Sequence, residues 1–181
     1  MKNLLSTYDR LANGLSRLGL DATPLLARFT FAAVLLVYFW NSALTKIGDG
    51  IFGFLHPTDG AYIQIFPKAF EAAGYDSSQL GFFHWAVATA GTLAELILPL
   101  LIIIGLFTRL AALGMIGFTL VQSLTDVYGH MVGGDDLGRW FDGASGALVL
   151  DQRSLWVLLF ATLVLLGSGP LSLDRWLAKG R

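Results

Sequence analysis

The stretch Phe82–Gly105 reads FFHWAVATAGTLAELILPLLIIIG, with a single acid, Glu95, in its interior. A helix crosses the hydrocarbon core with about 20 residues, so this stretch is long enough to span a bilayer. A carboxylate near the centre of such a helix costs about 3 kcal/mol on insertion scales. It must therefore be protonated, paired, or lining a wet cavity. Pro99 follows four residues later. A helix proline clashes with the carbonyl of residue i−4, here Glu95. The spacing predicts a bend at the acid and a free backbone carbonyl that protein or water must satisfy.

Only 14% of the 181 residues are charged and 55% are hydrophobic, against about 25% charged in a typical soluble domain. Mean hydropathy is +0.64. Several long apolar runs make the chain a multi-pass membrane protein. A net charge of −1 leaves no overall basic field to attract nucleic acid. The absence of cysteine excludes structural disulfides, CxxC relays, thiolate metal sites and covalent thiol intermediates. Residues 1–21 lack a basic n-region followed by an apolar block, so no cleavable signal is evident. The first membrane helix is expected to stay as an anchor.

The expected fold is all-α: an N-terminal amphipathic interfacial helix (1–21), a four-helix membrane domain (22–176) and a cytoplasmic tail (177–181). In residues 1–20, Leu4, Tyr8, Leu11, Leu15 and Leu18 form a stripe, with Lys2, Arg10 and Arg17 off it. This helix reads either as a surface anchor or as a docking surface. Asp21, Thr23 and Pro24 look like the start signal of a new helix. Spans are expected at about 25–44, 82–105, 106–124 and 150–169, the last with a short apolar part that enters obliquely. Residues 48–80 form a polar connection. Within it, Tyr62–Ala73 is a short helix or re-entrant piece interrupted by Pro67. The Gly- and Asp-rich loop 131–146 has acids enough to invite a calcium reading, but its spacing matches no EF-hand loop. No metal site is assigned.

Four spans put both termini on one side. That side carries Lys2, Arg10, Arg17, Arg28, Arg109, Arg175, Lys179 and Arg181; the other carries Lys46, Lys68, Arg139 and Arg153. The bias predicts cytoplasmic termini for an antiparallel four-helix bundle.

Two polar sets are candidates for chemistry. The inner set is Arg28, Glu95 and Arg109. Glu95 lies about 15 Å deep at 1.5 Å per residue, and Arg28 could reach toward it. That pair reads either as a structural clamp or as a site of proton exchange with a bound quinone. The outer set is Asn41, Lys46, His84, Gln122, Asp126 and His130, with His56 in the loop. His84 and His130 could polarise a quinone carbonyl or carry its proton, or stand as solvated surface groups. Trp85, Trp140 and Trp156 read as interface anchors rather than a stacking cage.

The ordered set Arg28, Lys46, Glu95, Gly105-Leu106-Phe107-Thr108-Arg109 and Gly169-Pro170-Leu171-Ser172-Leu173-Asp174 resembles the DoxX family of small four-helix bacterial membrane proteins, over about residues 25–176. Some relatives are subunits of a thiosulfate:quinone oxidoreductase, and others are implicated in redox-stress complexes. The resemblance implies a quinone-associated subunit of a membrane redox complex. Catalysis would fall to Glu95, Arg28, His84 and His130, and cofactor contact to Asn41, Lys46, Gln122, Asp126 and Arg109. The alternative is a noncatalytic scaffold or assembly factor; transport through the bundle is a third reading. No haem, flavin or nicotinamide motif is present. Expected partners are the bilayer, other membrane or periplasmic subunits, and further copies of the chain.

Overall fold

The computed structural model describes residues 2–180, with side chains from residue 5 onward. The side chains of Leu4 in the N-terminal stripe and of Lys2 off it, and Arg181, lie outside that description. The described chain is helical, and its only β-type pairing is an isolated bridge between Ile47 and Pro57. The helices are α1 (Lys2–Val34), α2 (Leu36–Leu44), α3 (Asp59–Ile65), α4 (Pro67–Ala72), α5 (Phe82–Ile104), α6 (Thr108–Leu124), α7 (Gly134–Leu137), α8 (Arg153–Leu166) and α9 (Leu173–Lys179). Three helical segments are long and apolar enough to cross a membrane: Phe82–Ile104, Thr108–Gly129 and Leu148–Leu166. The pair formed by α1 and α2, bent by 43°, makes a fourth if it is one span.

Several boundaries differ from the sequence expectation. No new helix begins at Asp21–Pro24: α1 runs through Pro24 into the apolar stretch. Pro24 is fully buried, and there its ring packs close to Gly169. Tertiary packing thus overrides a local start signal. Of the apolar stripe read from sequence, Tyr8, Leu11, Leu15 and Leu18 are exposed on this continuous helix, and so is Leu5 beside them. α5 is unbroken across Pro99, and the Trp40 indole donates to the Leu96 carbonyl (3.3 Å), one residue past the acid. The third span starts at Thr108 and continues through a π-helical turn, Thr125–Gly129. The fourth is led in by another, Leu148–Gln152. Pro67 divides the connection into α3 and α4. The tail is helical from Leu173, with the Ser172 hydroxyl accepting from the Arg175 N–H.

The core is built from Phe31, Leu35 and Phe39 of the first segment against Ile102, Ala111, Ala112, Met115, Phe160 and Leu163. Ala111 and Ala112 let α6 approach closely, and large rings fill the space beyond, with Phe31 edge-on to Phe160 at 5.7 Å. A second cluster of Ala61, Tyr62, Phe70 and Ala88 seats α3 and α4 on α5.

One end of the helices is closed by a latch. Arg28 donates to the carbonyls of Ile102 (2.9 Å), Ile103 (2.5 Å), Ser168 (2.9 Å) and Leu171 (2.5 Å). Its forked guanidinium thereby satisfies open carbonyls at the end of α5 and beyond α8. Asp174 returns the favour at the start of α6, accepting from the N–H groups of Phe107 (2.7 Å) and Thr108 (3.0 Å). Gly105 must be glycine: φ is +69°, and a Cβ would stand 2.5 Å from that of Ser172 and 3.1 Å from the Arg28 guanidinium. Gly105→Ala therefore combines left-handed strain of about 1–2 kcal/mol with overpacking of about 1–3 kcal/mol. Gly50 (φ +84°) has open space around a Cβ, so Gly50→Ala carries the strain alone. Thermal unfolding in detergent should show the larger loss at Gly105; equal losses would mean the latch is loosely packed.

Candidate functional site

Glu95 faces inward because it shares a buried stripe of α5 with Ala88, Thr92, Pro99 and Ile102. Lys46, just past α2, continues the buried stripe of Phe39 and Ala43. Both side chains are almost fully enclosed, Lys46 at 3% and Glu95 at 3% exposure, and they form an ion pair at 2.7 Å. Ser42, one turn before Lys46, ties them together. Its hydroxyl accepts from the ammonium (2.6 Å) and donates to the other carboxylate oxygen of Glu95 (3.1 Å). The third ammonium donor reaches the Ser42 carbonyl at a longer 3.2 Å. All three donors of Lys46 are engaged, whereas the Glu95 carboxylate keeps lone pairs for a ligand.

The pair stands in the wall of a cavity of about 440 Å³. Most of the wall is apolar and small: Ala90, Gly91 and Ala94 of α5, and Gly114 and Gly117 of α6, with Val87, Phe118 and Val121. Ile65 and Gln64 of α3 lie across one end, where Gln122, Thr125, Asp126 and His130 also enter the lining. Cavities of this size and character, apolar with a few convergent polar groups, are the usual form of small-molecule sites. The His130 ring bonds the Gln64 carbonyl through Nε2 (3.0 Å). A carbonyl can only accept, so Nε2 carries the proton and Nδ1 of the neutral ring is an acceptor. Gln122 donates to the Tyr38 hydroxyl (2.8 Å), while its amide oxygen is buried without a partner. The cavity thus offers more acceptors than free donors, which suits a head group bearing hydroxyls.

Beside the cavity, Asp126 is held by Arg153 (2.5 Å), a buried residue that also reaches the Ser123 hydroxyl (3.1 Å) and lies over the Trp156 ring at 5.9 Å. Trp156 is not an outward anchor, since it packs edge-on to Tyr38 and Phe39.

The two sets drawn from sequence are rearranged. Glu95 leaves the inner set and joins Lys46, Gln122, Asp126 and His130 of the outer one in a single cavity. Arg28 does not pair with Glu95; its four hydrogen bonds go to the latch carbonyls. Arg109 is likewise at that end, donating to the carbonyls of Val164 and Leu165. Neither arginine lines the cavity. His84 packs edge-on against Phe66 and Phe83, outside the lining, with Nδ1 buried and unpaired. Asn41 is exposed and also outside it. His56 bonds the Phe52 carbonyl in the loop. Among the described residues, no group of three or more metal-ligating side chains is placed to hold an ion.

Ser42, Gln64 and Arg153 were not picked out from sequence. Ser42 had a signal, standing four residues before Lys46 on the same helical face. Arg153 had a weaker one, as the cation opening the fourth span. Gln64 had none, because only the fold of α3 over α5 brings it there.

A family model described as DoxX matches residues 23–126, more than half of the chain. No curated protein and no solved structure shows a significant match. The matched segment contains Arg28, Lys46, Glu95 and the turn at Gly105.

Removing one partner of a buried ion pair leaves an uncompensated charge, at about 3–5 kcal/mol. Lys46→Met alone should lose stability of that order in detergent. Adding Glu95→Gln should restore most of it, so a double-mutant cycle will show strong coupling. Additive losses would mean the two side chains do not interact.

Proposed function

The chain belongs to the DoxX family and is an integral membrane protein, and from that premise we propose that it is a quinone-associated subunit of a membrane redox complex. The reading takes four spans in an antiparallel bundle, the first formed by α1 and α2, with both termini cytoplasmic in a bacterial inner membrane. Its orientation rests on the excess of lysine and arginine at the latch end. The observation that carries the function is the Lys46–Glu95 pair in the wall of an otherwise apolar cavity.

A quinone ring is flat and apolar with two carbonyl oxygens, and its reduced form carries two hydroxyls. Lys46 can offer a carbonyl the donor now lent to the Ser42 carbonyl, the longest of its bonds. Glu95 can accept from a hydroxyl with its remaining lone pairs. Reduction needs two electrons and two protons; the electrons come from a partner chain. One proton passes through the Lys46–Glu95 pair and the other through the His130 imidazole, whose Nδ1 is open to accept it. Arg28 supports the fold rather than the chemistry.

A hydrogen bond to a charged group contributes about 1.5–3 kcal/mol, or roughly ten- to a hundredfold in affinity. Purified protein in nanodiscs should bind decylubiquinone, and Glu95→Gln or Lys46→Met should weaken that binding by such a factor. Arg109→Gln, away from the cavity, should leave it unchanged. Absence of binding to the wild type, or equal binding by all variants, would overturn the reading.

The scaffold alternative has one observation of its own, the exposed stripe Tyr8, Leu11, Leu15 and Leu18, with Leu5 beside it, on a helix continuous with the first span. If that stripe docks a partner, deletion of residues 1–20 will abolish co-purification of the partner chain while the truncated protein still inserts. Retained co-purification would remove the stripe from consideration.

A further inference from the structure

Small residues in membrane helices usually serve close packing. Along the α5–α6 seam they do so only at one level. Gly114 admits the Leu98 side chain, which would stand 2.9 Å from an added Cβ. One turn on, a Cβ on Gly117 would meet nothing within 4 Å. The seam is therefore not closed at Gly117, which with Ala90, Ala94 and Val121 lines the cavity.

The position of Gly117 on its helix gives the slot a direction. The buried stripe of α6 is Thr108, Ala111, Ala112, Met115 and Thr119. At about 100° per residue, Gly117 lies roughly opposite that stripe. It belongs with Leu113, Leu120 and Leu124, all exposed at more than half. Ala90 on α5 is exposed in the same way, on the side of Ile97. Ala90 and Gly117 lie within the apolar spans, away from both ends of α5 and α6. The cavity that holds Glu95 deep in its wall therefore opens sideways, between α5 and α6, onto what is acyl chain in a bilayer.

We propose that this slot, walled by Ala90, Ala94, Gly117 and Val121, is the binding site for the long hydrocarbon tail of a membrane-dissolved ligand whose polar head lies at Lys46 and Glu95. The ligand reaches the head site from within the bilayer, tail trailing through the slot, without crossing the water-facing end beneath α3. An apolar chain satisfies the slot, which offers no hydrogen-bonding side chain. Continuity with the polar end of the same cavity identifies the occupant as a tailed amphiphile rather than a partner helix. The identity of the head as a quinone rests on the function proposed above; the tail site does not.

The test uses full-length protein in nanodiscs and two kinds of probe. A palmitate analogue bearing a mid-chain diazirine reports on the tail alone. In the wild type it should label residues around Ala90, Ala94 and Val121 more strongly than the outward Leu113, Leu120 and Leu124. Gly117→Leu, whose Cβ would meet nothing within 4 Å and whose side chain would occupy the slot, should cut slot labelling about fivefold and leave the outward leucines unchanged. Ala90→Leu should do the same and guards against a folding defect in the first variant. With quinone probes, Gly117→Leu should weaken decylubiquinone binding about tenfold and spare the tail-less 2,3-dimethoxy-5-methyl-benzoquinone. Slot labelling no stronger than on the outward leucines, or unaffected by both variants, would overturn the tail site. So would equal weakening of tailed and tail-less quinone. Strong, variant-sensitive slot labelling without binding of either quinone would uphold the tail site and reject the quinone head.

Discussion

A carboxylate enclosed by apolar helices needs a counter-charge, and here one lysine supplies it. Lys46 stands at the end of α2 and Glu95 in the middle of α5, so the pair joins the first apolar segment to the second. Ser42 fills the remaining gap and bonds to both. Replacing such a pair with hydrophobic side chains is often neutral or stabilising in proteins, so the pair is weak evidence of a purely structural purpose. What distinguishes this one is its surroundings. It is not buried against packed side chains on every side, but forms part of a cavity wall.

The residues that carry the family likeness divide into two groups with different physics. Arg28, the Gly105–Arg109 turn and the Gly169–Asp174 segment assemble at one end. There the guanidinium and the Asp174 carboxylate cap helix ends whose backbone groups lack intrahelical partners. Unsatisfied groups at these ends would be costly in an apolar medium, which accounts for the concentration of special residues there. Lys46 and Glu95 stand apart from this latch. The arginine that sequence reading assigned to the acid is thus a backbone-capping residue, and the lysine it assigned to an outer vestibule is the acid's partner.

The cavity itself is a product of omission. Ala90, Gly91, Ala94, Gly114 and Gly117 are too small to fill the space between α5 and α6, and α3 reaches over the gap with Ile65 and Gln64. The second apolar cluster, Ala61, Tyr62, Phe70 and Ala88, holds α3 in that place. A covering helix, a void and the Lys46–Glu95 pair together make the candidate site.

Much of this was legible in one dimension. Hydropathy alone marks the apolar spans, because a helix that crosses lipid must be apolar over a fixed length. One acid in such a span announces that something must shelter it. Of the six residues placed together at the outer ends of the spans, Lys46, Gln122, Asp126 and His130 do line one cavity, whereas Asn41 and His84 do not. Tertiary structure decided which cation meets the acid, that Pro24 lies inside a helix, and that Arg153 holds Asp126. Those choices depend on helix rotation and on which backbone carbonyls are left open. Such facts arise only when separate segments pack, and no local stretch of sequence encodes them.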